Sequence, residues 1–136
     1  MGILWATSLK TRIYNLIKED VYEELEEDYP NIFFTTSDKT PTTSKFPTVY
    51  IDLASMVENG RTTEVESISS ALITIEVKVL SNTSSTEATI VSNKILQSFK
   101  KLGFEIVSFP IPLSSGENVY QATTRFRRTI ADMDTL

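Results

Sequence analysis

The alternation of apolar and polar positions is most regular over residues 69–81, SSALITIEVKVLS. Ala71, Ile73, Ile75, Val77 and Val79 fall on one side of a pleat, and Leu72, Thr74, Glu76, Lys78 and Leu80 on the other. Wound as a helix, the same apolar residues would reach every side and the β-branched ones would lose rotamer freedom, so the pattern predicts a strand. Before it the period changes. Over 8 to about 27, Leu9, Ile13, Leu16, Ile17, Val21 and Leu25 recur at spacings of three and four without proline or glycine, which predicts an amphipathic helix capped by Thr7 or Ser8 and stopped by Tyr29-Pro30. Ile32, Phe33 and Phe34 make a short apolar run, a brief strand or a plug under the sheet, and residues 35–45 are a polar loop. Residues 46–54 resume as a strand with Val49, Ile51 and Leu53 on one face, Tyr50 and Asp52 on the other, and Pro47 at its start.

Residues 56–68, MVENGRTTEVESI, join these two strands. Asn59-Gly60 is a hairpin-type dipeptide, so the strands are expected to be antiparallel neighbours whose ends project as a charged arm carrying Glu58, Arg61, Glu64 and Glu66. The arm is either a solvated surface loop or a contact between subunits. Downstream, Ser84 and Glu87 fit a capping box, Ala88, Val91, Ile95, Phe99 and Leu102 line one helical face, and Gly103 stands where a left-handed C′ residue belongs, with Phe104 able to fold back on Phe99. Residues 104–111 read as a strand stopped by Pro110 and Pro112, and 114–118 as a turn. In the last strand, 119–130, Tyr120, Ala122, Phe126 and Ile130 share one face and Gln121, Thr123, Arg125, Arg127 and Thr129 the other. Arg128 falls on the apolar side, which predicts a position near an edge where its stem snorkels. Residues 131–136 read as a weakly anchored tail. The sum is a single α+β domain over 1–136: one largely antiparallel sheet of four to five strands with two helices packed on one face. If the strands on either side of the second helix lie parallel, that passage is a right-handed crossover.

Composition narrows the chemistry. With 136 residues, 40% of them hydrophobic, the chain suffices for one core. It has no cysteine and no histidine, so thiolate chemistry, the usual general base and the usual metal ligand are missing, and no enzyme is expected. The glycines at 2, 60, 103 and 116 are scattered and form no phosphate-cradling loop; no calcium-loop pattern occurs; no catalytic residue, metal site or cofactor is assigned. No apolar run approaches the roughly 20 residues of a membrane helix, and 1–6 carry no basic leader, so neither membrane insertion nor secretion is expected.

Charge is the remaining signal. The net value of −5 opposes polyphosphate binding by the chain as a whole. Glu19, Asp20, Glu23, Glu24, Glu26, Glu27 and Asp28 crowd the end of the first helix, where the dipole favours cations, and they read as a solvated face or as a negative surface for a partner or a channel wall. Arg125, Arg127 and Arg128 concentrate positive charge on the last strand. Tyr120 and Phe126 lie on the face opposite Arg125 and Arg127, so there is no stacking platform for nucleic acid; the arginines read as a solvated face or as ion-pairing groups for an acidic neighbour.

The layout also has a familiar outline. A leading helix, FPTVYIDL, a polar arm, ALITIEVKVLS, a helix ending in LGF, FPIPL and a final ATTRFRRTI together resemble the tail terminator, or tail completion, proteins of long-tailed bacteriophages, through element order and loose signatures over nearly the whole chain. The resemblance implies a virion protein at the head–tail junction, assembled in the host cytoplasm. It would form a homo-oligomeric ring, typically a hexamer, that caps the tail tube protein and meets a head-side connector or head-completion protein, with DNA passing through without sequence recognition. It carries no catalytic residues or cofactor. A head–tail adaptor or neck protein, or a monomeric α+β binding module, are the alternative readings.

Overall fold

The computed structural model describes residues 9–36, 46–58, 70–116 and 119–131, and within these the side chains of 58, 70, 111–116 and 131 are left undescribed. Helix α1 is Leu9–Asp28, strand β1 Phe33–Thr35, β2 Thr48–Glu58, β3 Ser70–Ser81, helix α2 Ser85–Lys101, β4 Glu105–Gly116 and β5 Val119–Ala131. The strands form one open sheet in the order β1-β2-β3-β5-β4, with β1 parallel to β2 and every other neighbour antiparallel. The fold is therefore α+β, with both helices against one face of a mixed, mostly antiparallel sheet. Since β3 and β4 both run antiparallel to β5, they are parallel to each other, and α2 crosses over the intervening β5 to join them.

The alternation seen in the sequence is the alternation of burial. Ala71, Ile73, Ile75, Val77 and Val79 are at most 1% exposed, and opposite them β5 supplies Ala122, Thr124, Phe126 and Ile130. α2 lies over β3, β5 and β4, while α1 packs on β2 and on α2. The buried residues of α1 are Leu9, Ile13, Ile17, Val21 and Leu25, a strict fourfold spacing that places them on one slanted stripe. Phe99 of α2 stacks on Phe126 with centroids 4.3 Å apart, which ties helix to sheet at the centre of the core.

α2 is punctuated largely as its sequence predicts. Ser84 Oγ accepts from the Glu87 amide (3.1 Å), but only this half of the capping box forms, because the Ser84 amide is engaged by Ser81 Oγ (3.4 Å). At the other end Gly103 has φ +85°, its amide donates to Lys100 O (3.0 Å), and the Phe104 amide donates to Phe99 O (3.1 Å). The Phe104 ring then meets Phe99 edge-on at 5.2 Å, completing a Schellman cap with its hydrophobic contact.

Four expectations are corrected. Pro110 and Pro112 do not stop β4, which continues to Gly116: it is an edge strand with register breaks around residues 107 and 109–110, and a missing amide on a free edge breaks no ladder. Of the turn expected over 114–118, residues 114–116 belong instead to β4, and 117–118 lie outside the described residues. Residues 56–58 belong to β2, which continues past a bulge at Ala54 to pair Glu58 with Ala71, and 59–69, including the Asn59-Gly60 turn, lie outside the described residues. Ala131 ends β5, and 132–136 lie outside the described residues, as do Thr7, Ser8 and most of the polar loop. The apolar run resolves as a strand: Phe34 is buried in β1, and Ile32 is buried just before it.

Two substitutions test this core. Ile75→Asp places a carboxylate where the side chain is 1% exposed, at a cost of several kcal/mol against a total stability of about 5–15 kcal/mol, so the variant is expected to lack a cooperative thermal transition. Thr124 Oγ1 is buried without a hydrogen-bond partner, so Thr124→Val removes an unsatisfied hydroxyl at constant shape and is expected to leave stability unchanged or raise it by about 1 kcal/mol in urea titrations. A marked loss would show that the hydroxyl is satisfied.

Candidate functional site

The charged groups marked in the sequence are sorted by the fold into two layers. On β5 the odd positions 125 and 127 point away from the helices and both side chains are about half exposed. Register sets Arg125 opposite Glu76 and Arg127 opposite Glu105. Arg125 donates through Nε and Nη2 to one oxygen of Glu76 (2.9 and 2.8 Å), and Lys78 approaches the other oxygen at 3.5 Å. Arg127 meets Glu105 only through Nε, at 3.3 Å. Each arginine thus pairs with a carboxylate outside its own strand but inside the same chain, and exposed pairs of this kind contribute about 0–1 kcal/mol.

Arg128 does something else. It was expected near an edge, and it stands just past the point where β4 begins, Glu105 opposite Arg127, so that position 128 has a strand neighbour on the β3 side only; its inward direction meets the end of α2. Its Nη1 donates to the Leu102 carbonyl at 2.7 Å, and the guanidinium lies over Gly103, where a Cβ would come within 3.5 Å of Nε. A cation is thereby held at the negative end of the helix dipole on a free terminal carbonyl. Of the arm residues, Glu58 closes β2 through its backbone, and Arg61, Glu64 and Glu66 lie outside the described residues.

The acidic end of α1 is partly accounted for. Asp20 accepts from Ser98 Oγ (2.6 Å) and pairs with Lys101 (3.5 Å), and Glu24 pairs with Lys94. As the number rises along α1 it falls along α2, so the helices run antiparallel, and Asp20 and Glu24 meet the carboxyl-terminal half of α2, where Lys94 and Lys101 supply the cations that offset them. The Glu24 hydrogen bond raises the Lys94 pKa, so the contribution of this pair is present at neutral pH and is lost as rising pH carries Lys94 past its folded-state value. Lys10 meets Asp52 at 2.9 Å, fastening the first turn of α1 to β2 beyond the last residue that β1 covers. A solvent-open groove of about 350 Å³ between the helices is lined by Leu16, Glu19, Asp20, Ser98, Lys101 and Leu102. Ser98 is buried and donates to a carboxylate already held by lysine, an arrangement that clasps two helices and gives the hydroxyl no strong base.

Sequence reasoning missed the apolar part of the surface. Phe109 is 68% exposed and Val107 49%, both on edge strand β4, and Val57 is 57% exposed near the end of β2. The signal was the FPIPL run itself, since prolines in a strand mark an edge and an edge strand has neighbours on one side only. Among the described residues no group of three or more His, Cys, Asp or Glu is placed to hold a metal ion. Comparison with protein-family models gives no match, and comparison with curated proteins gives none either.

The distinction between the arginines is measurable. Arg128→Met is expected to cost about 1–3 kcal/mol in urea unfolding, because it removes a charged donor from a half-buried carbonyl, whereas Arg127→Ala should cost less than about 1 kcal/mol. Equal losses would contradict the capping role.

Proposed function

We propose that the chain is a structural subunit of a phage virion: a tail terminator that assembles with copies of itself into a ring, a hexamer in this reading, caps the tail tube and presents its other face to the head-side connector or head-completion protein, with DNA passing through unread. The observation that carries the reading is a one-sided molecule. Both helices cover one face of the sheet, no element among the described residues covers the other, and edge strand β4 exposes Val107 and Phe109. A sheet face and an apolar edge left open are features that association with neighbours would complete. The order of elements on which the resemblance rests, a helix, a strand pair joined by residues 59–69, a helix and two strands, gives the same reading support.

Purified protein mixed with tail tubes is expected to add a ring of density at one tube end and to stop further growth, as seen by electron microscopy. Tubes that elongate unchanged, with bare ends, would refute the proposal. Replacing residues 59–66 by a short turn should leave the melting temperature close to that of the parent and abolish capping, since β2 and β3 pair up to Glu58 and Ala71 without that segment. Loss of folding would make the segment part of the core, and normal capping would remove it from the interface.

A further inference from the structure

The uncovered face of the sheet and the outer side of α1 are chemically matched and lie on opposite sides of a two-layer molecule. Lys78, Arg125 and Arg127 project from the sheet face, set among Thr74 and Thr123 and beside Glu76 and Glu105, with which they pair. Arg125 and Arg127 are committed to their carboxylates through only part of each guanidinium: Arg125 Nη1 and both terminal nitrogens of Arg127 make no bond among the described residues. An arginine has five N–H donors, so these outward ones are available for a second carboxylate.

On the other side, Glu19, Glu23 and Glu27 stand in one exposed column at fourfold spacing on α1 and make no ion pair among the described residues. Like charges at that spacing destabilise a helix, and the last turn of α1 contains no basic residue to offset them. The helix partner α2 neutralises Asp20 and Glu24 and leaves Glu23 and Glu27 without a cation, while Glu19 borders the groove between the helices.

We infer that the helix-free face of the sheet, through Arg125 and Arg127, receives the Glu19, Glu23 and Glu27 side of α1 from a second copy of the chain. The inference deepens the reading of the chain as a self-assembling subunit and rests on it. The two surfaces belong to different layers, so the contact is head to tail: each copy gives its helix to one neighbour and its sheet to the other, the kind of contact that closes into a ring when the rotation permits. The area suffices. Four strands roughly 5 Å apart and roughly 35–40 Å long present on the order of 500–800 Å², close to the roughly 800 Å² per partner of a standard interface.

The test uses two charge-reversed proteins, Glu23→Lys/Glu27→Lys and Arg125→Glu/Arg127→Glu, with Arg127→Glu alone as a milder variant that keeps the Arg125 pair with Glu76. Circular dichroism melts establish that each is folded, and sedimentation equilibrium at low salt measures association. The parent is expected to self-associate, each reversal to weaken that association by about tenfold or more, and an equimolar mixture of the two double variants to restore it, because each now matches the other. A parent that stays monomeric up to about 1 mM, reversals without effect, or a mixture that fails to recover would each overturn the contact. Tube capping by the parent alongside any of these leaves the terminator reading standing without this interface. Restored association with bare tube ends keeps the interface and removes the terminator reading.

Discussion

The structure depends on the burial of one face of the β3–β5 pair. Those strands occupy the middle of the sheet, their inward side chains are nearly all inaccessible, and Phe126 stacks on Phe99 to fix the helix above them. Each buried Val, Ile or Phe among them contributes roughly 1.5–3 kcal/mol on leaving water. Because side chains alternate, whatever fixes the inner face also fixes the outer one: Lys78, Arg125 and Arg127 point away from the helices because Val77, Phe126 and Thr124 point toward them.

The same constraint orders the rest of the subunit. α2 must return the chain across β5, so its carboxyl end arrives above residue 128 and creates a place for a cation on the otherwise apolar side of the strand. The Gly103 turn and the Phe104 ring then lead directly into β4 at the edge. α1 has only β2 and α2 left to pack against, and its antiparallel run brings Asp20 and Glu24 to Ser98, Lys101 and Lys94. Among the described residues, what remains uncovered is one face, the edge with Val107 and Phe109, and a column of glutamates, and the proposed association draws on the face and the glutamates.

Much of this was legible in the sequence where local physics decides. The strand period of 71–79, the fourfold stripe of α1 and the Schellman end of α2 each follow from a few neighbouring residues, and all are found. What the sequence left open depends on strand order. Placing the end of α2 over Arg128 requires knowing that β5 is inserted between β3 and β4, and the persistence of β4 through two prolines requires knowing that it has a free edge. The Glu76 and Glu105 partners of Arg125 and Arg127 are set by register, which no spacing along one strand encodes. The exposed Phe109 was hidden for a related reason, since an apolar residue in a strand reads as core until the strand is known to lie outside helical cover.

The central claim is that the sheet has one buried face and one open one, and the chain's lack of cysteine makes it directly measurable, since any cysteine introduced is the only thiol present. Val77 and Lys78 are adjacent in β3 and point to opposite faces. In the isolated folded subunit, Lys78→Cys should react with a thiol reagent at nearly the rate of an unstructured peptide, while Val77→Cys should react on the order of 10³-fold more slowly or less, limited by opening of the core. Equal rates, or a protected thiol at position 78, would contradict the account.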